Sequence, residues 1–96
     1  MKGVLHPAAD EEFAAAVQYY RNIDPDLGLR FYSEIERLIG NVCDHPERYR
    51  EFDAPARRHL SFEFPFALIY IVKPDYVWIV AVMHMKREPG YWRERV

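Results

Sequence analysis

The sequence predicts an α+β fold with its elements in the order β-α-α-β-β-β, a helical hairpin packed on a small antiparallel sheet. Three observations lead there. Two amphipathic stretches of helical period follow one another in the first 44 residues, and two apolar, β-rich runs flank a short turn in the second half. Half of the 96 residues are hydrophobic and 16% are aromatic, too much apolar material for a disordered tail. A chain of this length buries only ~60–70% of the surface its unfolded form exposes, so it has room for one domain, residues 1–96, with one modest core.

Taken in order, Lys2–Leu5 is a short apolar segment suited to a strand. Pro7 fits a first helical position, and Asp10, Glu11 and Glu12 complement the helix dipole in the early turns. This first helix is expected to run to about Arg21, with Phe13, Ala16, Val17 and Tyr20 as its buried stripe. Asp24 can then cap a second helix that starts at Pro25. Leu27, Phe31, Ile35, Leu38 and Val42 form its stripe, and it ends near Asp44 because Pro46 cannot continue it. A link this short implies an antiparallel helix pair. Residues 47–55 read as a polar loop, Ala56–Phe62 as a partly alternating strand, and Glu63-Phe64-Pro65 as an interruption. Phe66–Val72 is apolar throughout, as expected of a central strand covered on both faces. Lys73–Tyr76 is a turn, Val77–His84 the last strand, and Met85–Val96 a basic, aromatic tail.

Charge and composition exclude several classes. The formal net charge is −2, but residues 1–56 carry six basic and eleven acidic groups and residues 57–96 carry seven and four, so the helical half stands at −5 and the sheet and tail at +3. A basic second half suits an anionic partner. The longest apolar run, Phe64–Val72, is far short of the ~18 residues a membrane helix needs. The N-terminus lacks the apolar core of a signal peptide, and the single Cys43 can form no internal disulfide, which points to the cytoplasm. Cys43 and His45 are two ligands without partners and make a poor metal site. His6 and His59 stand alone and receive no role.

Three segments together resemble the RelE/ParE superfamily of bacterial toxins: Arg57-Arg58-His59-Leu60-Ser61-Phe62-Glu63-Phe64-Pro65-Phe66, then Leu68-Ile69-Tyr70, then Ala81-Val82-Met83-His84-Met85-Lys86-Arg87-Glu88-Pro89-Gly90-Tyr91-Trp92. Ala9-Asp10, Leu27-Gly28-Leu29-Arg30-Phe31 and Pro46 extend the likeness over the whole chain. The resemblance implies the toxin of a type II toxin–antitoxin module, neutralised in a hetero-oligomer by a small cognate antitoxin, with no cofactor and no metal. Its branches differ. A RelE-like member implies a ribosome-dependent endoribonuclease cutting messenger RNA; a ParE-like member, a plasmid stabilisation protein, implies binding of DNA gyrase without cleavage chemistry.

Attack of a 2′-hydroxyl on its phosphate needs a base, an acid and cations around the phosphorane. His84, Arg87 and Arg57 or Arg58 are the candidates, with Tyr91 or Trp92 to stack on a base. Each has a structural alternative of comparable weight: His84 as an anchor for the tail, Lys86 and Arg87 as solvated charges, Tyr91 and Trp92 as packing for the tail, Arg57 and Arg58 as partners of Glu51 and Asp53. The resemblance implies an Arg before the aliphatic-aliphatic-Tyr of a ribonuclease, where this chain has Ala67. Such ribonucleases are also basic, as RNA binding favours, whereas this chain is acidic overall. Glu63 stands where a basic residue is common and Met85 where Gly is common. The reading is therefore ParE-like, with Arg57, Arg58, His84, Arg87 and Tyr91 as candidate target contacts. RNA cleavage is the alternative, and a degenerate toxin that only binds antitoxin is a third. The antitoxin is expected to lay a helix or extended segment over an apolar groove beside the helix pair, on exposed members of the set Phe13, Tyr20, Tyr32 and Ile39.

Overall fold

The computed structural model describes residues 1–96. Strand β1 (Lys2–Leu5) leads into helices α1 (Pro7–Ile23) and α2 (Pro25–Asp44), followed by strands β2 (Glu51–Asp53), β3 (Ala56–Leu60), β4 (Phe66–Val72) and β5 (Tyr76–His84) and a 3₁₀ turn at Arg93–Arg95. The five strands form one sheet in the order β1-β5-β4-β3-β2. Neighbours are antiparallel except β1, which runs parallel to β5 because the helix pair carries the chain back before the later strands form. The sheet is thus mixed where the sequence suggested an antiparallel one.

Asp24 caps α2 as its position suggests, accepting from the Asp26 backbone N–H at 2.9 Å. At α1 the cap is His6, whose Nδ1 accepts from the Ala8 N–H at 2.9 Å, so this histidine has a role after all. Both helices turn their apolar stripes onto one sheet face. Phe31, Ile35, Leu38 and Val42 of α2 are fully buried there, above Leu68, Tyr70 and Ile79. Phe64, from the segment that interrupts the strands, plugs the end of this layer: its ring meets Tyr20 at 5.0 Å and Phe31 at 5.1 Å, edge-on in both cases.

β4 is the central strand and is covered on both faces. Phe66, Leu68 and Tyr70 face the helices, while Ala67, Ile69 and Ile71 form a second, smaller core with Ala56, Met83 and Trp92. The tail covers that second face, and Trp92 is only 2% exposed. An extra residue interrupts β5: Ile69 pairs with Ala81 but Tyr70 pairs with Ile79, leaving Val80 as a bulge. The bulge reverses the alternation. Val77 and Ile79 face the helices, Val80, Ala81 and Met83 the tail, and Val82 the helices again.

Two boundaries differ from expectation. The loop 47–55 contains the three-residue strand β2, whose residues are held by pairing with Ala56 and Arg57 rather than by any apolar signal of their own. β3 ends at Leu60, because the Ser61 hydroxyl turns back to accept from the Glu63 and Phe64 N–H groups.

Candidate functional site

Beyond Ile79 the outer edge of β5 has no strand beside it, since β1 pairs only with Tyr76–Ile79. Side chains take the place of one. Glu12 of α1 accepts from the Val82 N–H at 3.1 Å, and the Val80 carbonyl accepts from Arg95 Nη1 at 3.0 Å. Glu12 and Arg95 pair with each other through two bonds of 2.8 and 2.9 Å, and the Tyr91 hydroxyl donates to Glu12 Oε2 at 2.7 Å. The edge is closed by a bidentate ion pair, with side chains 17% and 16% exposed. Burial and the Glu12 carboxylate beside it push the Tyr91 phenol well above its ordinary range, so it stays protonated. In the sequence Glu12 stands only as a dipole-complementing acid. Its tail partners lie some eighty residues away, and no local pattern marks them.

The candidates named from the sequence are divided by this architecture. His84 and Arg87 are joined through the backbone where β5 passes into the tail, the Arg87 N–H donating to the His84 carbonyl at 3.0 Å. The His84 ring meets Phe66 edge-on at 5.0 Å, and its Nδ1 accepts from the Lys86 N–H at 3.0 Å. The Arg87 guanidinium lies 4.0 Å above the Tyr91 ring, with Arg95 5.0 Å from the same ring. Arg57 lies elsewhere. It pairs with Tyr70 while His84 pairs with Phe66, two strands away and four residues along, a Cα separation of about 16 Å. Arg57 and His84, named together as candidates, therefore do not meet. Arg57 donates to the Tyr49 and Glu47 carbonyls at 2.8 and 3.3 Å and approaches Glu51 at 3.9 Å, which fastens the loop after α2. Arg58 points to the opposite face from Arg57 and lies 4.9 Å over the Phe52 ring. Its expected partner Asp53 is taken by Arg93 at 2.7 Å. Ala67 is fully buried under the tail, so no cation stands at that position of β4.

The helix pair offers a second site. A groove of about 400 Å³ runs between α1, α2 and the end of β1, lined by Leu5, Phe13, Val17, Tyr32 and Ile39 with Asp10 and Glu36 at its margin. The Phe13 and Tyr32 rings stack at 5.4 Å and form its floor, and Tyr32 is half-exposed. Tyr20, named with these three as a candidate anchor, instead turns into the aromatic cluster around Phe31. On the other side of α2, Arg37 and Ser61 hydrogen-bond to the buried Glu34 carboxylate and hold it below the usual carboxylate range. His59 stacks on Tyr49 at 3.9 Å and contacts Asn41 at 3.1 Å, and burial lowers its pKa. Cys43 packs against the first core, and burial pushes its thiol up.

Comparison with known proteins adds two findings. A family model described as the ParE toxin of the type II toxin–antitoxin system parDE matches residues 4–89. Among solved structures, a chain described as belonging to the chromosomal ParDE TA system from P. aeruginosa superposes with a TM-score of 0.76. The identity is 17%, over 90% of this chain and 97% of that one. No curated protein matches the sequence.

Proposed function

Because the chain belongs to the ParE toxin family of type II toxin–antitoxin systems, we propose that it is a cytoplasmic growth-inhibiting toxin that binds DNA gyrase and is silenced by a cognate antitoxin. The observation that carries the antitoxin half is the apolar groove. Val17, Tyr32 and Ile39 present an open apolar stripe between two helices, the surface an amphipathic helix fills, while Phe13 of the expected anchor set is buried in the core and only backs the groove. Asp10 and Glu36 at its margin favour basic residues flanking that stripe.

The preference for target binding over RNA cleavage rests on the occupation of the candidate groups. The Tyr91 hydroxyl is spent on Glu12, Arg87 is stacked, His84 Nδ1 is engaged, and Arg57 is remote. Arg95, the other guanidinium beside Tyr91, is tied to Glu12. Expression of the chain alone is expected to arrest growth, and the purified protein to inhibit gyrase supercoiling; arrest with supercoiling intact removes gyrase as the target. RNA cleavage is kept as a second reading by the nearness of His84 and Arg87 along the chain at the end of β5, with Tyr91 beneath the Arg87 guanidinium. Messenger RNA on translating ribosomes should remain intact with the toxin present, and cleavage lost in His84→Ala and Arg87→Ala reverses the preference. No arrest at all marks a chain that retains only antitoxin binding.

A further inference from the structure

A feature that, Arg58 apart, neither reading uses lies on the far side of α2, where the loop after the helix meets the outer edge of β3. Arg37, Arg48, Arg50 and Arg58 line one open groove with Phe52 and Phe62. Arg37 is held by Glu34, but Arg48, Arg50 and Arg58 enter no ion pair, although five other arginines of the chain do. Three unneutralised arginines are thus gathered on one edge of a chain whose net charge is −2. Arg50 immediately precedes β2 and Arg58 follows Arg57 on β3, so the two flank the Glu51–Arg57 pair of the ladder. Phe62 is 97% exposed, a full aromatic face left in water. Beneath it β3 is open, because β2 covers only Ala56 and Arg57.

We propose that this groove binds single-stranded nucleic acid, with Arg48, Arg50 and Arg58 on successive phosphates and Phe62 stacked on an unpaired base. Arginine offers phosphate a planar pair of N–H donors, and a bare ring offers stacking to any base. A duplex hides its base faces and leaves Phe62 unused. An acidic protein segment neutralises the arginines but brings no planar partner for the ring. The groove is assigned no cleavage: His59 in its wall is buried and engaged with Asn41. This inference is independent of gyrase and of the antitoxin groove.

Fluorescence anisotropy of the intact chain with labelled oligo(dT) and oligo(U) of about 12 nucleotides tests it. Three phosphate contacts predict a slope of log K against log salt of about −2, at ~0.7 per contact. Each of Arg48→Gln, Arg50→Gln and Arg58→Gln is expected to weaken binding and flatten the slope by about 0.7, and Phe62→Ala to weaken binding with the slope unchanged. Thermal midpoints near wild type show that the variants are folded. Absence of salt-dependent binding, indifference to these substitutions, equal affinity for duplex, or equal competition by polyglutamate overturns the proposal; the last assigns the groove to an acidic protein segment.

Discussion

Replacing Glu12 by Ala is expected to be among the most damaging single changes on the surface of this protein. The carboxylate accepts four hydrogen bonds: one from Tyr91, two from Arg95 and one from the Val82 N–H. Removing it strands a partly buried guanidinium, a phenol and a backbone donor. A hydrogen bond to a charged group contributes ~1.5–3 kcal/mol, and water reaching the vacated edge recovers part of the total, so a net loss of about 2–4 kcal/mol is expected. Against a total stability of ~5–15 kcal/mol that is a large fraction. For a domain this size it lowers the thermal midpoint by roughly 10–25 °C. Glu12→Gln keeps an acceptor for Val82 but loses the charge, and is expected to cost about half as much. Urea unfolding followed by circular dichroism measures both. A cycle with Arg95→Gln isolates the pair, whose coupling is expected at about 1–2 kcal/mol. The tail should also loosen before the sheet does, seen as earlier hydrogen exchange at Trp92 than at Leu68. If Glu12→Ala costs less than ~0.5 kcal/mol, the carboxylate does not close the β5 edge.

Gly28 sits where α1 and α2 cross. A Cβ there meets the Arg21 Cβ at 2.8 Å and Cα at 2.9 Å, so Gly28→Ala must spread the helices, with an expected loss of about 1–3 kcal/mol in denaturant titration. Tyr70 is fully buried, its hydroxyl donates to the Pro46 carbonyl at 2.9 Å, and burial pushes its pKa up to about 12. The folded value lies above the ordinary 10 of the unfolded chain, so its contribution is complete below pH 10 and is lost between pH 10 and 12. Phenolate absorbance should show Tyr70 ionising only with unfolding, and Tyr70→Phe should flatten the loss of stability in that window. Tyr32→Ala removes a half-exposed ring from the floor of the helix groove and should change stability by less than ~1 kcal/mol. Antitoxin affinity, measured by titration calorimetry, should fall at least about tenfold.

Helices were legible because their burial is periodic. The stripe from Leu27 to Val42 admits one face, and Asp24-Pro25 marks a start that the structure reproduces. β4 was legible for the opposite reason: a run apolar at every position implies cover on both sides, and the tail supplies the second cover. The same uniformity hid the bulge at Val80. Where Val77–Met83 is apolar throughout, a reversal of alternation leaves no trace in the pattern. The parallel pairing of β1 was hidden because four residues do not declare their neighbour. Of the candidate site, the contact of Arg87 with Tyr91 follows from proximity along the chain. The displacement of Arg57 does not, since it depends on the register of β3 against β4, which residue types alone leave open. Phe13, Tyr32 and Ile39 line the groove named for the antitoxin, and Tyr20 does not, because its ring finds more apolar contact among Phe31 and Phe64.

The parallel pairing of β1 with β5 also sets an order of events during synthesis. β1 gains its partner only after the chain has reached Ile79. Until then Leu5 is not fixed beside Phe13, and the groove between the helices lacks one wall. A partner that reads Leu5 together with Phe13 and Ile39 therefore recognises a finished sheet and passes over the nascent helix pair.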